Sequence, residues 1–337
     1  MPVQVNEGLA TLSDQLILAT VLVYLAAMIC YALELAFGRP RMAVAAGRQR
    51  QLATVGATGG ATGGATGGAT AGVAEGGDGL PGAARDEGAP AEPAAWTVKA
   101  AAAAVVLTWL GWAGNLAGIL TRGLSADRWP WGNMYEFVVA ICFAAVTAFL
   151  VLLVRQPIRF LGAFVTLTAA LGLGFAVLFL HVQAGPVMPA LHSYWIAIHV
   201  TAAIIASGLF ILAGVCAILY LVRKDGRPSV LPTRVALERV ADRAIVISFP
   251  IWTFAVIAGA MWADRAWGRY WGWDPKEVWA FVTWVVYAAY LHARATAGWR
   301  GKAAMIVSLI AFACLLFNLI GVNIFISGLH SYADVPK

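Results

Sequence analysis

Charge is what this 337-residue chain has least of: 12% of it is Asp, Glu, Lys or Arg, against 61% hydrophobic residues. Soluble domains carry about 25% charged residues, so a water-soluble domain is excluded. Cysteine is scarce too. Cys30, Cys142, Cys216 and Cys314 all lie inside apolar runs and form no CxxC pair. That excludes a thiolate metal site and leaves four small buried hydrophobes. There is no P-loop, no G-x-G-x-x-G after a strand and no Ser-His-Asp pattern, so ATP use is not indicated. The opening MPVQVNEGLATLSDQ lacks a basic n-region, and no cleavable signal peptide is expected. The net charge of +6 is no nucleic-acid signal, because the basic residues sit in short segments between apolar runs.

What the chain does have is long apolar runs. A helix crossing the bilayer core takes about 20 apolar residues. Such runs fall at 14–37, 98–121, 134–154, 157–181, 195–222, 244–263, 276–295 and 303–327. The expected fold is an all-α polytopic membrane protein with about eight transmembrane helices. Lys and Arg concentrate on the cytoplasmic side. Here they gather after spans one, three, five and seven, as in Arg39, Arg155, Arg223 and Arg294. They are sparse in the alternate segments. Both termini, the loops at 122–133 and 182–194, and the segment between spans six and seven are therefore expected outside. The middle of segment 38–97, GATGGATGGATGGATAG, is low in complexity and cannot offset its ordering entropy by burial. It reads as a flexible cytoplasmic linker without chemistry.

The segment between spans six and seven, WGRYWGWDPKEVWAF from Trp267 to Phe281, is unusual. Trp267, Trp271, Trp273 and Trp279 lie within 13 residues, spaced by Gly268 and Gly272. An interfacial aromatic belt accounts for isolated tryptophans. It needs no glycines and no fixed spacing, whereas glycine lets backbone approach a partner closely and flat indoles offer faces to a planar ligand. The loop reads as a platform for a planar aromatic group. Asp274, Pro275 and Glu277 also have a local reading, as N-cap, first helical residue and capping box of span seven. That reading does not exclude a ligand role for Asp274.

Ionisable residues at a membrane edge are functional candidates. His199 lies about one turn inside the outer end of span five, and His330 just beyond the outer end of span eight. A lone edge histidine is more often a hydrogen-bonded interfacial residue than a ligand. Two of them flanking an indole platform fit a haem, whose iron takes imidazole ligands and whose ring favours aromatic contact. His292 lies about 25 Å further along span seven, near its cytoplasmic end. His181 and His192 rank lower, as loop residues.

These residues carry a resemblance. WGRYWGWDPKEVWAFVTW resembles the tryptophan-rich WWD signature of the haem-handling superfamily, and DPKE…TW…YLH looks like its CcsA/ResC branch (CcsB in some nomenclatures). WGNMYEF (131–137), MPALHSYWIAIHV (188–200) and FNLIGVNIFISGLHSY (317–332) resemble further motifs of that branch. The likeness covers about 98–332, outside the first span (1–37) and the linker (38–97). The resemblance implies a subunit of the system II holocytochrome c synthase (haem lyase) in a bacterial plasma membrane. It implies that haem b crosses from the cytoplasmic side to an outer site and is joined there to the CxxCH thiols of apocytochrome c. It further implies that His199 and His330 ligate haem iron beside the WWD loop, with Trp267, Trp271, Trp273 and Asp274 as binding residues. His292 would ligate an intramembrane haem opposite a ResB/Ccs1-type membrane subunit, needed for activity. Two alternatives stay open: a haem transporter or chaperone without synthase activity, and a non-haem transporter with an interfacial Trp loop.

Overall fold

The computed structural model describes residues 5–38, 95–187, 191, 193–224 and 231–330. The proposed flexible linker at 38–97, the repeat within it, and His192 fall almost wholly outside them. Eight long helices run through the described residues: α1 (Glu7–Phe37), α2 (Ala95–Ser125), α3 (Met134–Arg155), α4 (Gly162–Phe179), α5 (Tyr194–Val222), α6 (Arg234–Trp267), α7 (Pro275–Thr296) and α8 (Lys302–Leu316). A π-helical turn, Phe317–Gly321, and a short turn, α9 (Val322–Phe325), extend α8. No strand occurs among the described residues.

Seven of these helices are long and apolar enough to cross a membrane. The exception is α7. Its 22 residues span about 33 Å, enough for a hydrocarbon core of about 30 Å. Its Trp, Tyr and His side chains and terminal charges lower its hydropathy.

Two helices outrun the apolar segments that signalled them. α1 begins at Glu7 because the Asn6 side chain accepts from the Leu9 N–H and caps it there. α6 begins at Arg234, where the Thr233 hydroxyl accepts from Ala236. Arg234, Arg239 and Arg243, which lie before the apolar run at 244–263, therefore stand on helix. Arg294 of α7 bonds Glu238 at 2.9 Å and Asp242 at 2.6 Å, which ties the polar end of α6 to α7.

The helices form two halves. α1 lies along α2 and against α4, α3 packs on α4, α5 lies along α6, and α8 packs on α5 and α7. The α3–α5 contact joins the halves. Apolar attraction does not drive helices together in lipid, so close backbone approach matters. On α2, a Cβ at Gly111 would stand 2.4 Å from the Tyr24 ring and one at Gly118 2.6 Å from Ile17. Small residues there let α1 and α2 touch. The four cysteines carry no disulfide, and Cys142 and Cys216 are buried, as their apolar contexts indicated.

Candidate functional site

The Trp-rich segment connects α6 to α7, and local chemistry shapes it. Gly268 ends α6 in the left-handed region at φ 69°, and its N–H bonds the Asp264 carbonyl. Trp273 also has a positive φ, 59°, which is strained for a bulky residue. The following cap holds that geometry. One Glu277 carboxylate oxygen accepts from the N–H groups of Gly272 (2.9 Å) and Asp274 (3.1 Å), and Asp274 accepts from the Lys276 N–H (3.1 Å). Asp274, Pro275 and Glu277 thus form the capping box that the sequence indicated.

Asp274 does more than cap. Its Oδ1 accepts from the Leu329 N–H at 2.6 Å, and its Oδ2 pairs with His330 Nδ1 at 2.7 Å. This carboxylate fastens the segment after α9 onto the start of α7, so it positions His330. Burial alone would raise the Asp274 pKa. The hydrogen bonds from His330, Leu329 and Lys276 outweigh it and hold the carboxyl below its ordinary value of 3.8.

His199 arrives from α5 and is fixed in a parallel way. Its Nδ1 lies 2.7 Å from the Ala255 carbonyl of α6. That carbonyl is reachable because Gly259, one turn further on, has no side chain. A Cβ there would stand 2.8 Å from the His199 ring. In both histidines Nδ1–H donates to an oxygen, so the lone pair sits on Nε2. Ligating histidines are oriented by such donation to a carboxylate or carbonyl.

Indoles surround the pair. Trp262, 1% exposed, lies parallel to His199 at 6.4 Å between centroids and 5.9 Å from His330. Trp267 contacts Trp262 at 4.8 Å and His330 at 5.1 Å. Two cavities flank this cluster. One, of about 100 Å³, is lined by Trp252, Trp267, Tyr270, Trp271, Glu277 and Asn318 among others. The second, also of about 100 Å³, is lined by Trp131, Asn133, Met134 and Asn323 among others. His199, Trp262, Lys276 and His330 line both. Both have mostly apolar, aromatic walls with a few polar groups, as ligand sites do.

The structure therefore brings His199, His330, Trp267, Trp271 and Asp274 together. Trp273 is set apart: it is 73% exposed and lines neither cavity. It touches Trp271 edge-on at 5.9 Å. Trp279 packs on Phe317. His292 is exposed near the far end of α7, remote from the other two. His181 joins a different cluster, with Asp14 at 3.1 Å and the Tyr135 ring. Sequence reasoning missed Trp262, Gly259, Asn318 and Lys276. Trp262 and Gly259 sat in an apolar run and looked like ordinary span residues, and Lys276 stood inside the capping sequence of span seven with no signal of its own. The one available hint was Trp262 standing five positions before Trp267.

A family model described as "Cytochrome C assembly protein" matches residues 131–330. A protein of Chlamydomonas reinhardtii called "Cytochrome c biogenesis protein CcsA" is 36% identical over 224 residues, covering 64% of this chain and 64% of the relative. The chain thus spans just under two thirds of that relative's length. Proteins of the same description from Trieres chinensis and Synechocystis sp. are 33% and 30% identical. They share 63% and 71% of this chain, and 80% and 90% of their own lengths.

Proposed function

The chain belongs to the cytochrome c assembly protein family, and we propose that it serves c-type cytochrome biogenesis by holding haem b between His199 and His330 for attachment to an apocytochrome c. One observation carries the proposal. Two histidines from elements far apart in sequence meet at a single indole-walled cluster, each with Nδ1 tied to an oxygen. On this reading Nε2 of each is the iron-binding atom. The apolar aromatic walls suit a flat macrocycle, and the donor set is one that haem iron accepts.

Haem b is the substrate here, and it supplies two vinyl groups. Each thioether forms when a CxxCH thiol adds across a vinyl double bond, with sulfur bonding one carbon and hydrogen the other. No nucleophile from this chain is needed. Its residues orient: Asp274 and Ala255 fix the imidazoles, Glu277 fixes the loop, and Trp262, Trp267 and Trp271 wall the cavity. Holding reactants in place contributes up to about 7–11 kcal/mol when the geometry is ideal.

The charge asymmetry supports an outward site, with both termini on the same face. His292, exposed on α7 about 25 Å away, suits a ligand to haem shared with a ResB/Ccs1-type membrane subunit on the route across. Its exposure leaves room for the partner's side of such a site. The test is co-expression with that partner and an apocytochrome in a host lacking its own maturation system. Covalent cytochrome c that disappears without this chain is the expected result. Haem bound to the chain with no covalent product would favour a carrier without synthase activity. Purified complex without haem would defeat the reading.

A further inference from the structure

Lys276 has no role in the scheme so far, yet its setting is the strangest of any charged group in this half. Its Nζ is sealed from solvent and has no hydrogen-bond partner among the described residues. It lines both cavities beside His199, Trp262 and His330. The two carboxylates of the same turn are committed elsewhere. Asp274 takes Leu329, His330 and the Lys276 backbone N–H, and Glu277 takes Gly272 and Asp274. Buried charges are normally paired, and a buried polar group without a partner calls for an explanation. Asn318 Oδ1 is likewise buried without a hydrogen-bond partner, and Asn318 lines the cavity walled by Trp252 and Trp271. It is carried by the π-helical turn Phe317–Gly321, a distortion frequent at functional sites.

An ammonium has three donors and no acceptor, so it cannot ligate iron while charged. What completes it is an acceptor, and an anionic one. The walls around it are aromatic, so the ligand must join a carboxylate to a flat apolar body. We infer that Lys276 binds a carboxylate of the cavity's ligand, which on the haem reading above is a haem propionate. The vinyl groups lie on the opposite edge of the macrocycle from the propionates. Pairing at Lys276 therefore turns the vinyl edge away from it, so this residue sets which edge is offered for thioether formation. A phospholipid headgroup is another source of anionic oxygen at a membrane edge, and the test separates the two.

Full-length chain in complex with its partner, purified from haem-limited cells in the His292→Gly background, is titrated with haem b and with its dimethyl ester. Binding is read by quenching of tryptophan fluorescence. One charge-assisted contact is worth about tenfold or more in affinity. The parent should therefore prefer haem b to the ester by about that factor. Lys276→Met should abolish the preference by weakening haem b alone, and Lys276→Arg should retain most of it. Equal losses for both ligands in Lys276→Met, or no loss for either, would overturn the assignment. So would competition by dihexanoyl phosphatidylglycerol that depends on Lys276, since the anion would then be a lipid. A parent that binds haem b and ester equally well keeps the haem site and rejects only the lysine's role. A parent that binds neither rejects the haem reading, and this inference with it.

Discussion

Two buried cationic centres stand at the same edge of the molecule, one in each half, and they are built on opposite principles. In the α1–α4 half, Arg122 and Glu136 are each 3% exposed. Glu136 accepts from Arg122 at 3.2 Å, from both Nη atoms of Arg128 at 2.8 Å, and from the Gly132 N–H at 2.7 Å. Arg122 also meets Asp14 and the Val182 carbonyl, and Arg128 meets the Gly185 carbonyl. Every guanidinium there is matched by carboxylate or carbonyl oxygen. In the α5–α8 half, the Lys276 ammonium has no partner among the described residues, while the carboxylates beside it are engaged by backbone and His330. The first centre is complete in itself, and it pins three helices, α1, α2 and α3, and the chain after α4. The second lacks an anion that the protein does not provide. Arg, a planar fork, suits the closed network, and Lys, a point charge, suits a ligand that arrives and leaves.

The sharpest way to break this contrast is to neutralise one member of each centre. Glu136→Gln leaves two guanidinium groups without their buried counter-charge and should cost about 3–5 kcal/mol. Thermal unfolding of the detergent-solubilised protein should show it as the largest loss of any variant here. Lys276→Met removes a buried ammonium that has no hydrogen-bond partner and only the through-space attraction of Asp274, so the ligand-free protein should be as stable as the parent or more so. Equal losses in the two variants would mean that both centres are structural.

A smaller effect is expected at Asp274, which links the cap to His330. Asp274→Asn should weaken haem binding by about 10–100-fold, as loss of a ligand-orienting partner does. It should also change the acid limb of stability. The folded Asp274 pKa lies below the unfolded value of 3.8. Its contribution is therefore fully present above that value and is lost as pH falls through the folded one. Thermal denaturation of the parent should show this loss in strong acid, and the Asn variant should not. Gly259→Ala sets a methyl 2.8 Å from the His199 ring, closer than side chains pack, so the ring must move and its bond to the Ala255 carbonyl is disturbed while both ligands remain. A changed haem spectrum with near-normal haem content is the expected reading. The smallest effect belongs to the low-complexity repeat. Deleting 56–72 should leave cytochrome c maturation near the parent's level, and a loss at normal protein abundance would reveal a function there.

Much of this architecture was legible in the sequence where the cause is local. Apolar runs mark the helices, and Asp274-Pro275-Lys276-Glu277 announces the start of α7, because capping is decided within four residues. The Trp loop and its histidines could be picked out because residue type and spacing carry their chemistry. The pairings across helices could not. Arg122 reaches Asp14 across 108 positions and His330 reaches Asp274 across 56. No periodicity reports such distances. Lys276 was invisible for the same reason: its sequence neighbours supply two carboxylates, and only the fold shows both turned to other donors. Trp273 makes the converse point. It shares the loop's composition with Trp267 and Trp271, but its positive φ turns it outward to 73% exposure.

The central claim is that His199 and His330 hold one haem between them. It is tested most directly by the absorption spectrum and haem content of the partner complex carrying His199→Gly or His330→Gly, with and without imidazole. The account predicts that each variant loses haem or changes its spin state, and that added imidazole restores the parent spectrum by filling the opened position. Parent spectra and full haem content in both variants without imidazole would contradict it.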